Sequence, residues 1–319
     1  MTDFLNENSP TLGWVWAESY RPKTLDECIL PAATMKQLKS MVESNSVPHL
    51  LLSGNAGIGK TTVARALVHD MGGEMLFINA SLESGIDTIR NKVMKFSSVL
   101  SLENKPKFLL FDEFDGLSRQ AMESLRGIIE EFKNVRFFFT CNYKNRIIDA
   151  IISRTTEINF SYSTEEKPKL QVRLHRRIVD ILTKEGVEFS PTVVAILINN
   201  YFPDIRKLLN VLQSYSAGGA IDEGILTNRE NSSVDELIAI LKSKKFAEMR
   251  RWVAVNSDID STQIFRTLYE RSSELLDPAC IPQIVLTLAE YSFKLTHSVD
   301  AEIVTAAALT EIMAAAVWK

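Results

Sequence analysis

The residues with the plainest chemical meaning lie between Leu50 and Thr62, in the stretch LLLSGNAGIGKTT. An apolar run ends at Ser53, and Gly54, Asn55, Ala56, Gly57, Ile58, Gly59, Lys60 and Thr61 then fit the pattern G-x-x-x-x-G-K-[ST]. Glycines let a tight loop aim its N–H groups inward at phosphate oxygens, and the helix that follows adds its positive end. Lys60 can reach the β- and γ-phosphates and the Thr61 hydroxyl can sit on magnesium; Thr62 joins them among the nucleotide contacts. A plain glycine-rich turn is the bland alternative. The apolar run before the loop and the helix-forming run Val63-Ala64-Arg65-Ala66-Leu67-Val68 after it favour a nucleotide site.

A second anchor is PKFLLFDEFD, Pro106 to Asp115, an apolar strand that ends in two adjacent carboxylates. Downstream of a phosphate loop, Asp112 would hold magnesium and Glu113 would orient and polarise the attacking water, with Asp115 either a helix cap or an acid behind them. Val135 to Asn142 reads as another buried strand. Parallel strands deliver their ends to one sheet edge, so Asn142 would arrive beside Asp112 and feel the γ-phosphate. Asp204 caps a helix whose first turn carries Arg206, a candidate to touch the nucleotide from above. Arg154 has nothing obvious to neutralise in its own chain; it is either a surface arginine or one that reaches a neighbouring subunit's nucleotide. Trp14, Trp16, Tyr20 and Arg21-Pro22 crowd one segment, either as core aromatics or as the lining for a nucleobase.

The elements that must position these groups follow from periodicity. Helical spacing runs over Ala32 to Val42, Ile86 to Val99 and Arg119 to Phe132, alternating with short apolar runs at Leu50, Glu74 to Asn79, Phe108 and Val135. That alternation predicts an α/β domain with a parallel sheet over 1–160. From Glu165 the pattern is continuously helical, giving a small helical domain over 161–230 and, after a linker at 228–233, an all-helical domain over 231–319. The last helices are expected at roughly 234–242, 245–255, 260–274, 279–295 and 299–316. With 45% hydrophobic residues, 24% charged residues and a net charge of −4, the chain reads as a soluble globular protein that does not advertise nucleic-acid binding. Three scattered cysteines argue for a reducing compartment with no disulfide framework. Neither a long apolar run nor a basic-then-apolar leader is present, so a cytoplasmic, non-secreted protein is expected.

In this order the motifs resemble the clamp-loader branch of the AAA+ ATPases, the replication-factor-C-like subunits, and within it the large ATPase subunits of T4-type bacteriophage loaders. The resemblance covers essentially the whole chain. Trp16 to Leu25 looks like the family's opening segment along the adenine, which implies nucleotide contacts for Trp16, Tyr20 and Arg21. Gly54 to Thr61 matches the Walker A loop, with Asn55 and Ala56 where cellular relatives usually carry a proline-rich version. Asp112 to Asp115 matches Walker B, with Phe114 in place of a small residue. Asn142 falls on sensor 1 and Arg206 on the sensor 2 helix. Ser153-Arg154-Thr155 aligns with the Ser-Arg-Cys motif that supplies an arginine across the subunit interface, Thr155 being the departure. Ser84 through Arg90 and Lys92 is similar to the helix that tracks DNA, and Gln120 matches the relay between DNA and the Walker B acid; Lys95, Arg119 and Arg126 are further cations for phosphates.

The resemblance implies an ATP- and Mg2+-dependent, DNA-stimulated ATPase, with a lid domain after the sheet domain and a C-terminal collar for oligomerisation. Its implied partners are other copies of itself with one distinct small subunit (4:1), a ring-shaped sliding clamp, and primer–template DNA read without sequence preference. The alternatives are another DNA-acting AAA+ motor and a non-hydrolysing clamp-loader subunit. A pore-loop unfoldase or a winged branch-migration motor fits the helical C-terminal region poorly, and a structural subunit need not keep Lys60, Asp112, Glu113 and Arg154 together.

Overall fold

Five parallel strands form the sheet, the first four on short apolar runs: β1 (Leu50–Ser53), β2 (Glu74–Asn79), β3 (Lys107–Asp112), β4 (Val135–Cys141) and β5 (Thr156–Asn159). The computed structural model describes residues 15–82, 86–99, 105–216, 219–222, 229–256, 259–298 and 300–319. The strand order is β2-β3-β4-β1-β5, so the strand that feeds the phosphate loop lies inside the sheet. Side chains alternate between faces, which is why Phe137 and Phe139 pack on one side and Phe138 on the other. The first face is covered by α4 (Ile86–Ser98) and α5 (Arg119–Glu131) through Ile89, Val93, Met122 and Leu125. The opposite face is covered by α2 (Ala32–Glu43) and α3 (Lys60–Asp70) through Leu38, Val63 and Leu67. A parallel sheet with both faces covered explains why its central strands read as unbroken apolar runs.

After the short α6 (Asp149–Ile152), a helical segment completes the first unit, Met1–Glu223: α7 (Lys167–Lys184), α8 (Pro191–Tyr201) and α9 (Ile205–Ser216). Asp204 caps α9 by accepting from the Lys207 N–H at 2.9 Å. A two-residue parallel pair, Glu188–Phe189 with Ala220–Ile221, closes this part and carries no period that a sequence could show. The second unit, Gly224–Lys319, is helical: α10 (Arg229–Lys242), α11 (Phe246–Val255), α12 (Ser261–Glu270), α13 (Ser272–Leu275), α14 (Ile281–His297) and α15 (Ala301–Ala315). Its core is built from Leu237, Trp252, Phe265, Leu288, Leu309 and Ile312. No helix among the described residues is long and apolar enough to cross a membrane.

Two expectations change. The stretch expected as a linker is helical from Arg229 onward, because polarity alone does not break a helix that lacks Gly and Pro. The single helix expected over 260–274 is two, interrupted at Arg271, whose guanidinium pairs with Asp235. Strand β5 was not foreseen: its sequence TEIN buries only Ile158, so it shows no apolar run.

Candidate nucleotide site

The loop after β1 has the backbone its glycines allow. Gly57 and Gly59 have φ of 74° and 92°, in the left-handed region, and Gly59 leads directly into α3. A Cβ on Gly57 would lie 1.9 Å from Asp204 Oδ1, so the missing side chain also lets the cap of α9 sit against the loop. Lys60 opens α3 and is buried, with its Nζ donating to the carbonyls of Gly54 (2.8 Å) and Asn55 (2.6 Å) and to Asn142 Oδ1 (2.8 Å). Burial is the main cause that lowers its pKa; Asp112 and Asp115 oppose it.

At the neighbouring strand ends, Asp112 Oδ1 accepts from Thr61 Oγ1 at 2.5 Å and from Thr140 Oγ1 at 2.7 Å. Thr140 belongs to β4, the strand between β3 and β1, and its Oγ1 also accepts the Glu113 N–H at 3.0 Å. Glu113 has φ 54° and ψ 44°, an uncommon left-handed conformation for a residue with a Cβ, and its side chain is exposed. Buried Asp115 accepts from the N–H groups of Asn142 (3.3 Å) and Tyr143 (3.0 Å), so it fixes the end of β4 rather than capping a helix. Phe114 fills the core beneath, 4.5 Å between ring centroids from Phe139.

These groups line one cleft of about 1070 Å³, its open mouth included. Ala56, Gly57, Ile58, Gly59, Lys60, Thr61 and Thr62 form one wall; Asp112, Glu113 and Asn142 form its end; Arg206 reaches it from α9. Tyr20 and Arg21 line the other end, on the segment that follows α1 (Trp16–Ser19). Three expected contacts lie outside the lining. Trp16 is buried, and its backbone N–H donates to Gln213 Oε1 of α9 at 2.8 Å. Gly54 and Asn55 contribute carbonyls to Lys60 instead. The structure adds Thr140, Arg177 and the run Cys28-Ile29-Leu30 to the lining. A hydroxyl near the end of an otherwise apolar strand was the available signal for Thr140, and the i, i+4 spacing of Arg173 and Arg177 the one for the lid.

Arg154 is elsewhere. It has an in-chain partner after all: Nε donates to Glu130 Oε1 at 2.9 Å, the same carboxylate takes its Nη2, and Nη1 donates to the Ala150 carbonyl at 2.7 Å. That pairing holds the Glu130 carboxyl below its usual range. Arg154 lines a second, open hollow with His49, Lys133 and Arg136, away from the cleft residues. Among the DNA candidates, Ser84 lies outside the described residues, and Arg90, Lys92, Lys95, Arg119, Gln120 and Arg126 are exposed on the mutually packed α4 and α5. At about 100° per residue, Lys92 and Lys95 fall on one flank of α4 and Arg90 on the other. On α5 the cations alternate with acids, Arg119 with Glu123 (3.3 Å) and Arg126 with Glu130 (3.8 Å).

The donor set fits a nucleotide with a hard cation. Thr61 and Asp112 offer a hydroxyl and a carboxylate oxygen side by side, the ligand chemistry of Mg2+. Lys60 is held only by neutral oxygens of loop and strand end, which phosphate oxygens can replace. Phosphates would thus meet loop amides, an ammonium and hard oxygens at one end of the cleft, as a P-loop nucleoside triphosphatase requires. The comparisons agree. Residues 50–162 match the ATPase family associated with various cellular activities (AAA), and residues 166–227 match the sliding-clamp-loader large subunit, AAA+ ATPase lid domain. The sliding-clamp-loader large subunit of Escherichia phage RB69 is 38% identical over 241 residues, covering 73% of this chain and 75% of the relative. A replication factor C small subunit from Sulfolobus acidocaldarius is 33% identical over 315 residues, covering 93% and 95%. A Thermotoga maritima RuvB variant shares the fold, with a TM-score of 0.55 and 18% identity over 70% of this chain and 79% of that one. The chain belongs to the clamp-loader family of AAA+ ATPases, a nucleotide-binding family of DNA replication.

Proposed function

We propose that this chain is the ATP-hydrolysing subunit of a DNA polymerase sliding-clamp loader, which opens a ring clamp, places it on primer–template DNA and lets go on hydrolysis. The supporting observation is Asp112, shared between Thr61 and Thr140 beside a Glu113 whose carboxylate is free to meet water. In this reading Lys60 leaves its loop carbonyls for the β- and γ-phosphates, and Thr61 and Asp112 would hold Mg2+, which would supply positive charge to offset that of the phosphates. Glu113 orients the water and draws on its proton as attack proceeds in line. Asn142, fixed through Asp115, contacts the γ-phosphate, and Arg206 closes from α9. Arg154 serves the neighbouring copy's site, where an arginine in trans is worth roughly 10³–10⁵ in rate.

The division of labour is a nucleotide domain over 1–160, a lid over 161–230 and a collar over 231–319 that joins four copies to one small subunit. Exposed cations of α4 and α5, with Ser84 and Gln120, grip DNA phosphates without sequence preference and with strong salt dependence. The site of action is the cytoplasm of the cell in which replication occurs. The test is the ATPase rate of the chain with its co-assembling subunits, with and without primer–template DNA and a ring clamp. Stimulation by both supports the proposal; a rate indifferent to both returns the chain to some other AAA+ task.

A further inference from the structure

We propose that Arg173 and Arg177, on the lid helix α7, are positioning residues that hold the segment Tyr20–Leu30 in the shape that receives and selects the nucleobase. This rests on the nucleotide reading of the cleft and adds to it a residue pair outside the phosphate machinery. Four residues apart, the two guanidiniums share one helix face. Arg173 donates to the carbonyls of Leu30 (Nη1, 3.2 Å) and Cys28 (Nη2, 3.0 Å). Arg177 donates to the carbonyls of Glu27 (Nη1, 3.2 Å) and Tyr20 (Nη2, 2.8 Å). Tyr20 makes a further tie through its hydroxyl to Glu185, the residue that ends α7.

The segment they hold has little structure of its own, a single 3-10 turn at Leu25–Glu27 between α1 and α2. Four of its carbonyls find charged donors on the lid, each bond stronger than a neutral one. The consequence falls on Ile29. Cys28 is extended (φ −75°, ψ 142°), and Leu30 is kept extended by Pro31. Successive carbonyls of an extended chain point to opposite sides, so with Cys28 and Leu30 both turned to Arg173, the N–H and C=O of Ile29 face away from it. Ile29 lines the cleft and makes no backbone hydrogen bond among the described residues. An N–H beside a C=O complements a 6-aminopurine edge, where N1 accepts and the amino group donates; a 6-oxopurine offers the reverse. A role confined to satisfying carbonyls would affect both purines alike.

The experiment displaces a fluorescent ATP analogue from the full-length chain, in Mg2+, with ATP and separately with GTP. In Arg173→Ala/Arg177→Ala, ATP affinity is expected to fall about tenfold to a hundredfold while GTP affinity changes little, the size that lost hydrogen bonds at a readout edge imply. Thermal unfolding checks that the variant is folded. If it is not, the single variants Arg173→Gln and Arg177→Gln, which keep a neutral donor, are expected to narrow the ATP-to-GTP preference partway. An unchanged preference in a folded variant, or equal loss of both affinities, overturns the proposal. A wild-type chain that binds no ATP overturns the nucleotide reading itself.

Discussion

In the proposed mechanism the handling of water falls to one residue, Glu113. Its left-handed backbone costs about 1 kcal/mol for a residue with a Cβ, and the Thr140 hydroxyl meets its N–H, leaving the carboxylate aimed at solvent. Glu113→Gln is expected to bind ATP as the wild type does and to lose about 10²–10⁴ of the DNA-stimulated rate; measured turnover at wild-type level would remove it as the acid that handles water. Lys60 gives a prediction of a different kind. Burial holds its pKa below the ordinary 10.5. In the window between that lowered value and 10.5, the free chain carries a partly neutral amine and phosphates would restore the charge. ATP binding is therefore expected to take up protons in buffer within that window. Calorimetry in buffers of differing ionisation heat reads this directly, and Lys60→Met should abolish it. At this scale the sequence is eloquent, because Lys60, Thr61, Asp112 and Asn142 declare themselves by type and spacing. It is silent on Glu130, which meets Arg154 only through the packing of distant segments.

Elements were legible where one side chain in two or three is apolar, and not elsewhere. The runs LLLS, KFLLFD and VRFFFTC became buried strands, whereas TEIN became an edge strand that no hydrophobic period marks. The end of the cleft away from the phosphate loop was half legible: Tyr20 and Arg21 line it, but Trp16 is buried outside the lining, with its backbone N–H bonded to Gln213 of α9. Helices α4 and α5 carry the test of DNA contact. If their cations grip phosphates, Arg90→Glu/Lys92→Glu should reduce activation by primer–template DNA severalfold and make its remaining dependence on salt shallower, without altering the basal rate. A parallel fall in the basal rate would indicate damage to the sheet face that α4 covers.

On the scale of the whole molecule, a chain of net charge −4 can grip DNA only through local cations, and the proposal gives that part chiefly to α4, with Arg90, Lys92 and Lys95 exposed. The proposed assembly makes its own demand. Arg154→Ala should leave ATP binding to the isolated chain intact and cripple hydrolysis in the complex by about a thousandfold or more per affected site. Mixing it with subunits disabled by Lys60→Met should show that the loss belongs to the neighbour's site; a defect confined to the mutated chain's own cleft would place Arg154 in cis.

The Arg154–Glu130 pair bears on how such a row of subunits can end. In a closed ring every arginine has a neighbour to serve, but an open row leaves one at its tip with none. Folded back on Glu130, that arginine keeps a charge partner and four donated bonds without any neighbour at all. The last copy then carries no orphaned cation that would favour adding another subunit or closing the circle. In the assembly proposed above, a row built from such parts can therefore end without an unpaired arginine at its tip.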